Sequence, residues 1–186
     1  MLSNKSMTWP LWMYIVGWVF FVYLFFQIVG FDVRSIPNLL VSGMYFVEFG
    51  VHEASHLVFA FLPQIFVAAA GSFGEISFTL LLLFATLKAK AYFASIFAAL
   101  WVMLAMNSVG NYMADARSQS LPLIGPGDTV IHDWNFVFGK LGWLGSDAAI
   151  GRTVAIAGDL VGGAALLFGL YLIAAKIIRD KSTKIT

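Results

Sequence analysis

The sequence predicts an all-α fold, a polytopic membrane bundle of about five transmembrane helices, and two observations lead to it. Hydrophobic residues make up 60% of the chain and charged residues only 11%, whereas soluble domains carry roughly 25% charged residues. The apolar residues also form windows of about 20, the length that a helix needs to cross a bilayer core of roughly 30 Å. We therefore expect one integral membrane domain over residues 1–186.

Five stretches are long and apolar enough to be transmembrane helices, and a long loop precedes the last one. The helices are expected at about 9–30, 37–62, 64–87, 91–113 and 154–178, and the loop at 114–153. The first stretch is too long for the apolar region of a signal peptide and lacks a convincing small-residue cleavage site. It is therefore predicted to be a helix of the mature protein.

The long loop contains a segment with the pattern of an amphipathic helix, "HDWNFVFGKLGWL". Its large apolar residues recur at helical spacing: Trp134, Val137, Phe138, Leu141 and Leu144. Such a pattern is typical of a helix that lies in the membrane interface. The segment is expected to act either as a lid over a site or as an aromatic anchor at the level of the lipid headgroups.

The distribution of lysine and arginine predicts the orientation, because positively charged loops tend to stay in the cytoplasm. In a five-helix arrangement one side receives most of the basic residues: Arg34, Lys88, Lys90, Lys176, Arg179, Lys181 and Lys184. Aspartates outnumber basic residues in the 114–153 loop on the other side. The N-terminus is therefore expected outside and the C-terminus in the cytoplasm. No basic stripe suggests a nucleic-acid partner, and membrane lipids are the expected surroundings.

One predicted helix carries a concentration of ionisable residues, which are costly at membrane depth and are functional candidates by default. Glu48, His52 and His56 recur every four residues and share one helix face. His52 to His56 also fits H-E-x-x-H, in which two imidazoles one turn apart chelate Zn²⁺ and the glutamate, here Glu53, acts as general base. The alternative is a histidine pair that only forms hydrogen bonds to neighbouring helices.

A catalytic zinc ion usually has three protein ligands, so a further ligand must come from another part of the chain. Asp115 is the first candidate because it ends a stripe with Asn107 and Asn111 on one face of the fourth predicted helix. Its ordinary alternative is a solvated residue at the end of a helix.

Three other residues remain candidates for the third ligand. His132 is the remaining histidine of the chain, and its neighbour Asp133 could orient the imidazole as a second-shell partner. Glu75 is expected at the depth of His52 on the third helix, and Asp147 lies in the same loop as His132. We rank Asp115 first, His132 second, and Glu75 and Asp147 behind them.

Three motifs in order resemble those of the site-2 intramembrane metalloprotease family. They are "HEASH" at 52–56, "AGSFGE" at 70–75 and "NSVGNYMAD" at 107–115, and together the resemblance covers roughly residues 44 to 116. The last motif has the family's spacing of asparagine and aspartate. Ser72 stands where the family has proline, and Glu75 stands where it has asparagine.

The resemblance implies His52, His56 and Asp115 as zinc ligands and Glu53 as the base of a metallopeptidase that cleaves transmembrane peptides. The residues are equally compatible with a zinc-dependent hydrolase of lipid amides or esters. A non-catalytic metal-binding protein, or a subunit of a larger membrane complex, is the other class of function. Gly158, Gly162 and Gly163 would let the last helix pack closely against another helix, within the chain or in a homo-oligomer.

Overall fold

The computed structural model describes residues 9–35, 38–122 and 131–182, and within them the chain is helical with no β-strand. The six α-helices of these residues are α1 (Leu11–Ile28), α2 (Leu39–Val58), α3 (Gln64–Lys88), α4 (Tyr92–Ala114), α5 (Asp133–Leu141) and α6 (Asp147–Ser182). Two short 3₁₀ segments, Val33–Ser35 and Leu144–Ser146, precede α2 and α6. The all-helical class predicted from the sequence is therefore confirmed.

Four helical segments are long and apolar enough to cross a membrane, which is consistent with an integral membrane protein. They are α1, α3, α4 and the segment Leu144–Ser182, which contains α6. Helix α2 is not one of the four, although its 20 residues would have the length. Its polar face, which carries Glu48, His52 and His56, interrupts the apolar pattern. The fifth transmembrane helix expected from the sequence stays a prediction.

Helix α4 lies at the centre of the bundle and packs against α3 and α6. A Cβ placed at Gly110 of α4 would lie 2.6 Å from the carbonyl oxygen of Gly151 in α6, so these two backbones touch. Helix α1 runs antiparallel to α6, because Phe25 packs on Gly162 and the Trp18 indole donates to the Leu166 carbonyl at 3.0 Å. Gly158 and Gly162 of α6 thus serve close contacts within the chain, whereas nothing lies within 4 Å of a Cβ placed at Gly163.

Helix α2 begins beside the last turn of α1. Asn38 caps α2 by accepting a hydrogen bond from Val41 N, and its amide donates to Gln27 at 3.1 Å. Just after α1, the Phe31 carbonyl accepts a hydrogen bond from Asn111 near the end of α4. The ends of α1 and α4 and the starts of α2 and α6 therefore lie toward one end of the bundle, which we call the site end.

Helix α5 packs over the site end. Its Val137 and Phe138 are buried in a small cluster with Ala68 of α3 and Ala116. The left-handed backbone of Gly142, with φ of 72°, ends the helix. A helix is thus present in the amphipathic segment. Val137 and Phe138 face protein whereas Leu141 is exposed, and the location of the helix in the membrane interface stays a prediction.

Candidate metal centre

His52 and His56 occupy one face of α2, as their four-residue spacing requires. Their ring centroids are 4.8 Å apart. Helix α3 approaches this face closely at two glycines: a Cβ at Gly71 would collide with the His52 ring, and one at Gly74 would collide with Ser55. The close approach of α2 and α3 therefore depends on small residues opposite the histidine pair.

The His52 ring bridges two carboxylates from different helices. Its Nδ1 lies 2.5 Å from Glu75 Oε1 of α3, and its Nε2 lies 3.1 Å from Asp133 Oδ2 at the start of α5. The ring is buried. Both ring nitrogens thus have an acidic side chain as partner, which fixes the rotation of the ring.

The His56 ring is arranged in the same way. Its Nδ1 donates to the Val67 carbonyl oxygen at 2.8 Å, and its Nε2 lies 3.3 Å from Asp133 Oδ2. Ligand atoms of His52, His56 and Asp133 all lie within 4.8 Å of one another. These three residues form a group that could hold a metal ion.

The hydrogen bonds at the two Nδ1 atoms favour the tautomer that a metal-ligating histidine adopts. A carbonyl oxygen only accepts hydrogen bonds, so His56 Nδ1 carries its proton and the Nε2 lone pair is free in the neutral ring. The Glu75 carboxylate favours the same tautomer of His52. Metal-ligating histidines usually donate their other N–H to a carboxylate or backbone carbonyl, which is the pattern at both rings.

Asp133 is the member of this group that the sequence did not indicate as a ligand. The role that the sequence suggests for it is to orient His132. Burial disfavours its charged form, but the hydrogen bonds with His52 and His56 outweigh burial, so the pKa of Asp133 is below its ordinary value. These hydrogen bonds come from N–H groups of the two rings, so the lowered pKa belongs to the metal-free arrangement of the three residues. An acidic residue in the first turn of an amphipathic helix was the signal that could have drawn attention to it.

The structure does not bring Asp115 or His132 to the histidine pair. The Asp115 carboxylate caps the turn after α4 and accepts hydrogen bonds from Ser118 Oγ, Ser120 N and Oγ, and Leu121 N at 2.5–3.0 Å. Burial opposes ionisation of Asp115, but these donors outweigh it and lower its pKa to about 2. Its oxygens are thus committed to the turn, and its role as a metal ligand stays a prediction.

His132 lies on the far side of Tyr112 from the pair. Its Nδ1 accepts a hydrogen bond from Asn135 N and caps α5, while its Nε2 lies 3.5 Å from Asp115 Oδ2. The ring is buried and stacks on Tyr112. Burial lowers the pKa of His132, although the nearby Asp115 opposes that shift. The predicted metal ligation by His132 likewise stays a prediction.

The remaining candidates have distinct positions. Glu75 contacts His52 Nδ1 and so belongs to the second shell of the centre. Asp147 forms an ion pair with Arg117 at 2.8 Å, away from the pair. Glu53 is half-buried on the turn of α2 that carries both histidines. Within the described residues its carboxylate forms no hydrogen bond, so it is free to interact with a bound molecule.

No family model matches the chain, and no curated protein or solved structure matches it. Membership of the site-2 intramembrane metalloprotease family stays a prediction.

Proposed function

We propose that the protein is a membrane-embedded, zinc-dependent hydrolase, with His52, His56 and Asp133 as metal ligands and Glu53 as general base. One observation carries the proposal: the Nε2 atoms of two histidines lie 3.1 and 3.3 Å from the same carboxylate oxygen, while both Nδ1 atoms have hydrogen-bond acceptors. Three ligands of this kind leave a coordination position open, as in catalytic zinc sites.

The ligand types favour zinc among the common metals. Two imidazoles and one carboxylate suit Zn²⁺. The sequence contains no cysteine, the ligand that softer metals prefer. When bound, zinc would acidify a water molecule and polarise a substrate carbonyl group. Glu75 and the Val67 carbonyl would hold the two rings in orientation. The ligands come from two helices, so docking of α5 on the bundle completes the site.

Glu53 supports a catalytic function over a purely structural metal site. Glu53 lies on the same turn of α2 as the two histidine ligands and is half-buried. A structural metal site needs no such base. Glu53 would take the proton from the attacking water and pass it to the leaving group. The substrate would be an amide or ester that reaches the site through the membrane, either a transmembrane peptide, as the family resemblance implies, or a lipid.

The decisive experiment measures metal and hydrolysis in the same preparations. Protein purified without chelator and without a metal-affinity tag is expected to hold about one zinc per chain. Glu53→Gln should keep the zinc but lose hydrolysis of a single-span peptide or of a fluorescent lipid amide, because the amide side chain accepts no proton.

Two results would contradict this proposal. Absence of stoichiometric metal would leave a cluster of protonated histidines between Glu75 and Asp133, which makes the same contacts without a metal ion. Full hydrolysis by Glu53→Gln would remove Glu53 as the base. Zinc without any hydrolysis of either probe would favour the non-catalytic metal-binding protein or complex subunit.

We infer the location of the centre from the four candidate membrane helices. An even number of crossings puts both termini on one side, together with Lys88 and Lys90 at the end of α3. Positively charged segments favour the cytoplasm. The C-terminus is therefore cytoplasmic and the site end faces the opposite compartment. The outside N-terminus expected from five helices would require α2 to cross as well.

Cysteine labelling tests this orientation, since the chain has no natural cysteine. An impermeant thiol reagent applied to intact cells should label a cysteine at Ser118 but neither one at Ser182 nor one at Ser6. Labelling at Ser6 and Ser118 would restore the five-helix topology, whereas labelling at Ser6 and Ser182 but not at Ser118 would invert the orientation.

A further inference from the structure

Tyr112, in the last turn of α4, forms two hydrogen bonds with a single residue of the candidate metal centre. Its hydroxyl donates to Asp133 Oδ2 at 3.3 Å and accepts a hydrogen bond from the Asp133 backbone N–H at 3.1 Å. The carboxylate oxygen is the one that faces both histidines. One hydroxyl thus fixes both the main chain and the side chain of Asp133.

Asp133 needs such a partner because its own helix does not fix it. It is the first residue of α5, and the first N–H groups of a helix have no acceptor within that helix. The Tyr112 hydroxyl satisfies this N–H. Since α4 is the buried centre of the bundle, Tyr112 ties a residue from the long loop to a rigid helix.

The Tyr112 ring also lies between His52 of α2 and His132, the residue just before α5. It stacks on His132, with centroids 4.3 Å apart, and approaches the His52 ring at 5.9 Å with its edge. The stacking sets the position of the residue that directly precedes Asp133. Tyr112 therefore contacts α2 on one side and the start of α5 on the other.

We propose that Tyr112 is a positioning residue, which holds the Asp133 carboxylate toward His52 and His56 so that the three can bind one metal ion. This inference rests on the proposed metal centre. Tyr112 acts through Asp133 and is not itself a ligand, because its hydroxyl proton is directed at the carboxylate.

The test is Tyr112→Phe, which keeps the stacked ring and removes only the hydroxyl. The affinity for Co²⁺, used as a spectroscopic substitute for Zn²⁺, should fall roughly 10–100-fold, the usual loss for a second-shell partner. The visible absorption of the Co²⁺-loaded protein should also change, because the carboxylate is no longer held in one orientation. Tyr14→Phe is the matched control: this buried tyrosine lies on α1 against Phe93, away from the centre, and should leave both measurements unchanged.

A double mutant separates positioning from general stabilisation. If Tyr112 acts through Asp133, Tyr112→Phe should weaken Co²⁺ binding no further in an Asp133→Ala background. An equal additional loss in that background would overturn the inference. So would an unchanged Co²⁺ affinity and spectrum in Tyr112→Phe, including the case where only its thermal stability falls. A wild-type protein that binds no Co²⁺ or Zn²⁺ would instead overturn the proposed metal centre, and the inference with it.

Discussion

Two polar regions lie one turn apart on α2, and they differ in how their polar atoms are satisfied. At His52 both ring nitrogens have partners, Glu75 and Asp133. At Glu48 the side chain is fully buried, yet within the described residues neither carboxylate oxygen has a hydrogen-bond partner. The indole N–H of Trp101 lies close to the Glu48 carboxyl, but the two groups do not reach hydrogen-bond geometry.

This difference shows which of the two regions the fold is built to hold in place. A buried polar group without a partner costs about 1–3 kcal/mol, whereas a satisfied network fixes the positions of its members. Helices α3, α4 and α5 all contribute partners to the His52 region, whereas the Trp101 indole near Glu48 makes no hydrogen bond of ordinary geometry. The shared helix face seen in the sequence therefore divides into a pre-organised site and an unsatisfied carboxyl.

The largest expected effect comes from removing a ligand. His56→Ala should reduce the zinc content from about one per chain to near zero, because two ligands do not retain the ion through purification. Leu57→Ala is the matched control, since Leu57 is the next residue of α2 and its side chain is exposed. Elemental analysis of both proteins is the measurement. Zinc retention in His56→Ala would show that the wrong region has been identified as the metal centre.

The next prediction concerns the close approach of α3 to His52. Gly71→Ala places a methyl group against an imidazole that two hydrogen bonds hold in place, so the ring must move. Overpacking of this kind costs about 1–3 kcal/mol, and metal affinity should fall roughly tenfold or more. Gly163→Ala is the control, because nothing lies within 4 Å of its Cβ position. Equal Zn²⁺ affinities of the two variants would contradict the fixed position of His52.

A third prediction concerns Glu48, whose buried carboxylate oxygens have no hydrogen-bond partner among the described residues. Glu48→Met replaces the buried carboxyl with an apolar side chain of similar length and should stabilise the protein by about 1–3 kcal/mol. Zinc content should not change, since Glu48 lies a full turn before His52. Thermal unfolding in detergent, with and without chelator, measures both effects. A loss of stability would show that the Glu48 carboxyl makes a favourable interaction, for which the nearby Trp101 indole is the available donor.

The smallest effect is expected at Asp115, whose interactions are confined to one turn. Its pKa is lowered to about 2, since the hydrogen bonds of Ser118, Ser120 and Leu121 outweigh the opposing effect of burial. A group with a depressed pKa stabilises the folded state above its unfolded pKa, about 3.9 for aspartate, and this stabilisation disappears as the pH falls toward 2.

Asp115→Asn should therefore be less stable than the wild type above about pH 4, and the difference should shrink between pH 4 and pH 2. Chemical denaturation across that range measures it. The variant should keep its zinc, because the Asp115 oxygens bind the following turn. A zinc-free Asp115→Asn protein would instead restore Asp115 as a ligand, as its spacing in the sequence suggested.

The sequence by itself determined the features that depend on neighbouring residues. The apolar windows predicted helices that the structure shows as α1, α3, α4 and α6, and the spacing of His52 and His56 placed them on one helix face. Both results follow from the fixed geometry of a helix, in which residues four apart share a face. The amphipathic segment predicted a helix for the same reason.

Only the tertiary structure decided which distant groups meet the histidine pair. Asp133 lies 81 positions after His52, and its approach depends on how α5 docks and on Tyr112, neither of which leaves a pattern in the sequence. Asp115 had the more suggestive spacing, but the nearby backbone and hydroxyl donors of residues 118–121 engage its carboxylate within the turn. The hydrogen bonds of Asp115 close a short segment of chain and therefore cost little chain entropy. Asp133 reaches the histidine pair only because α5 packs on α3.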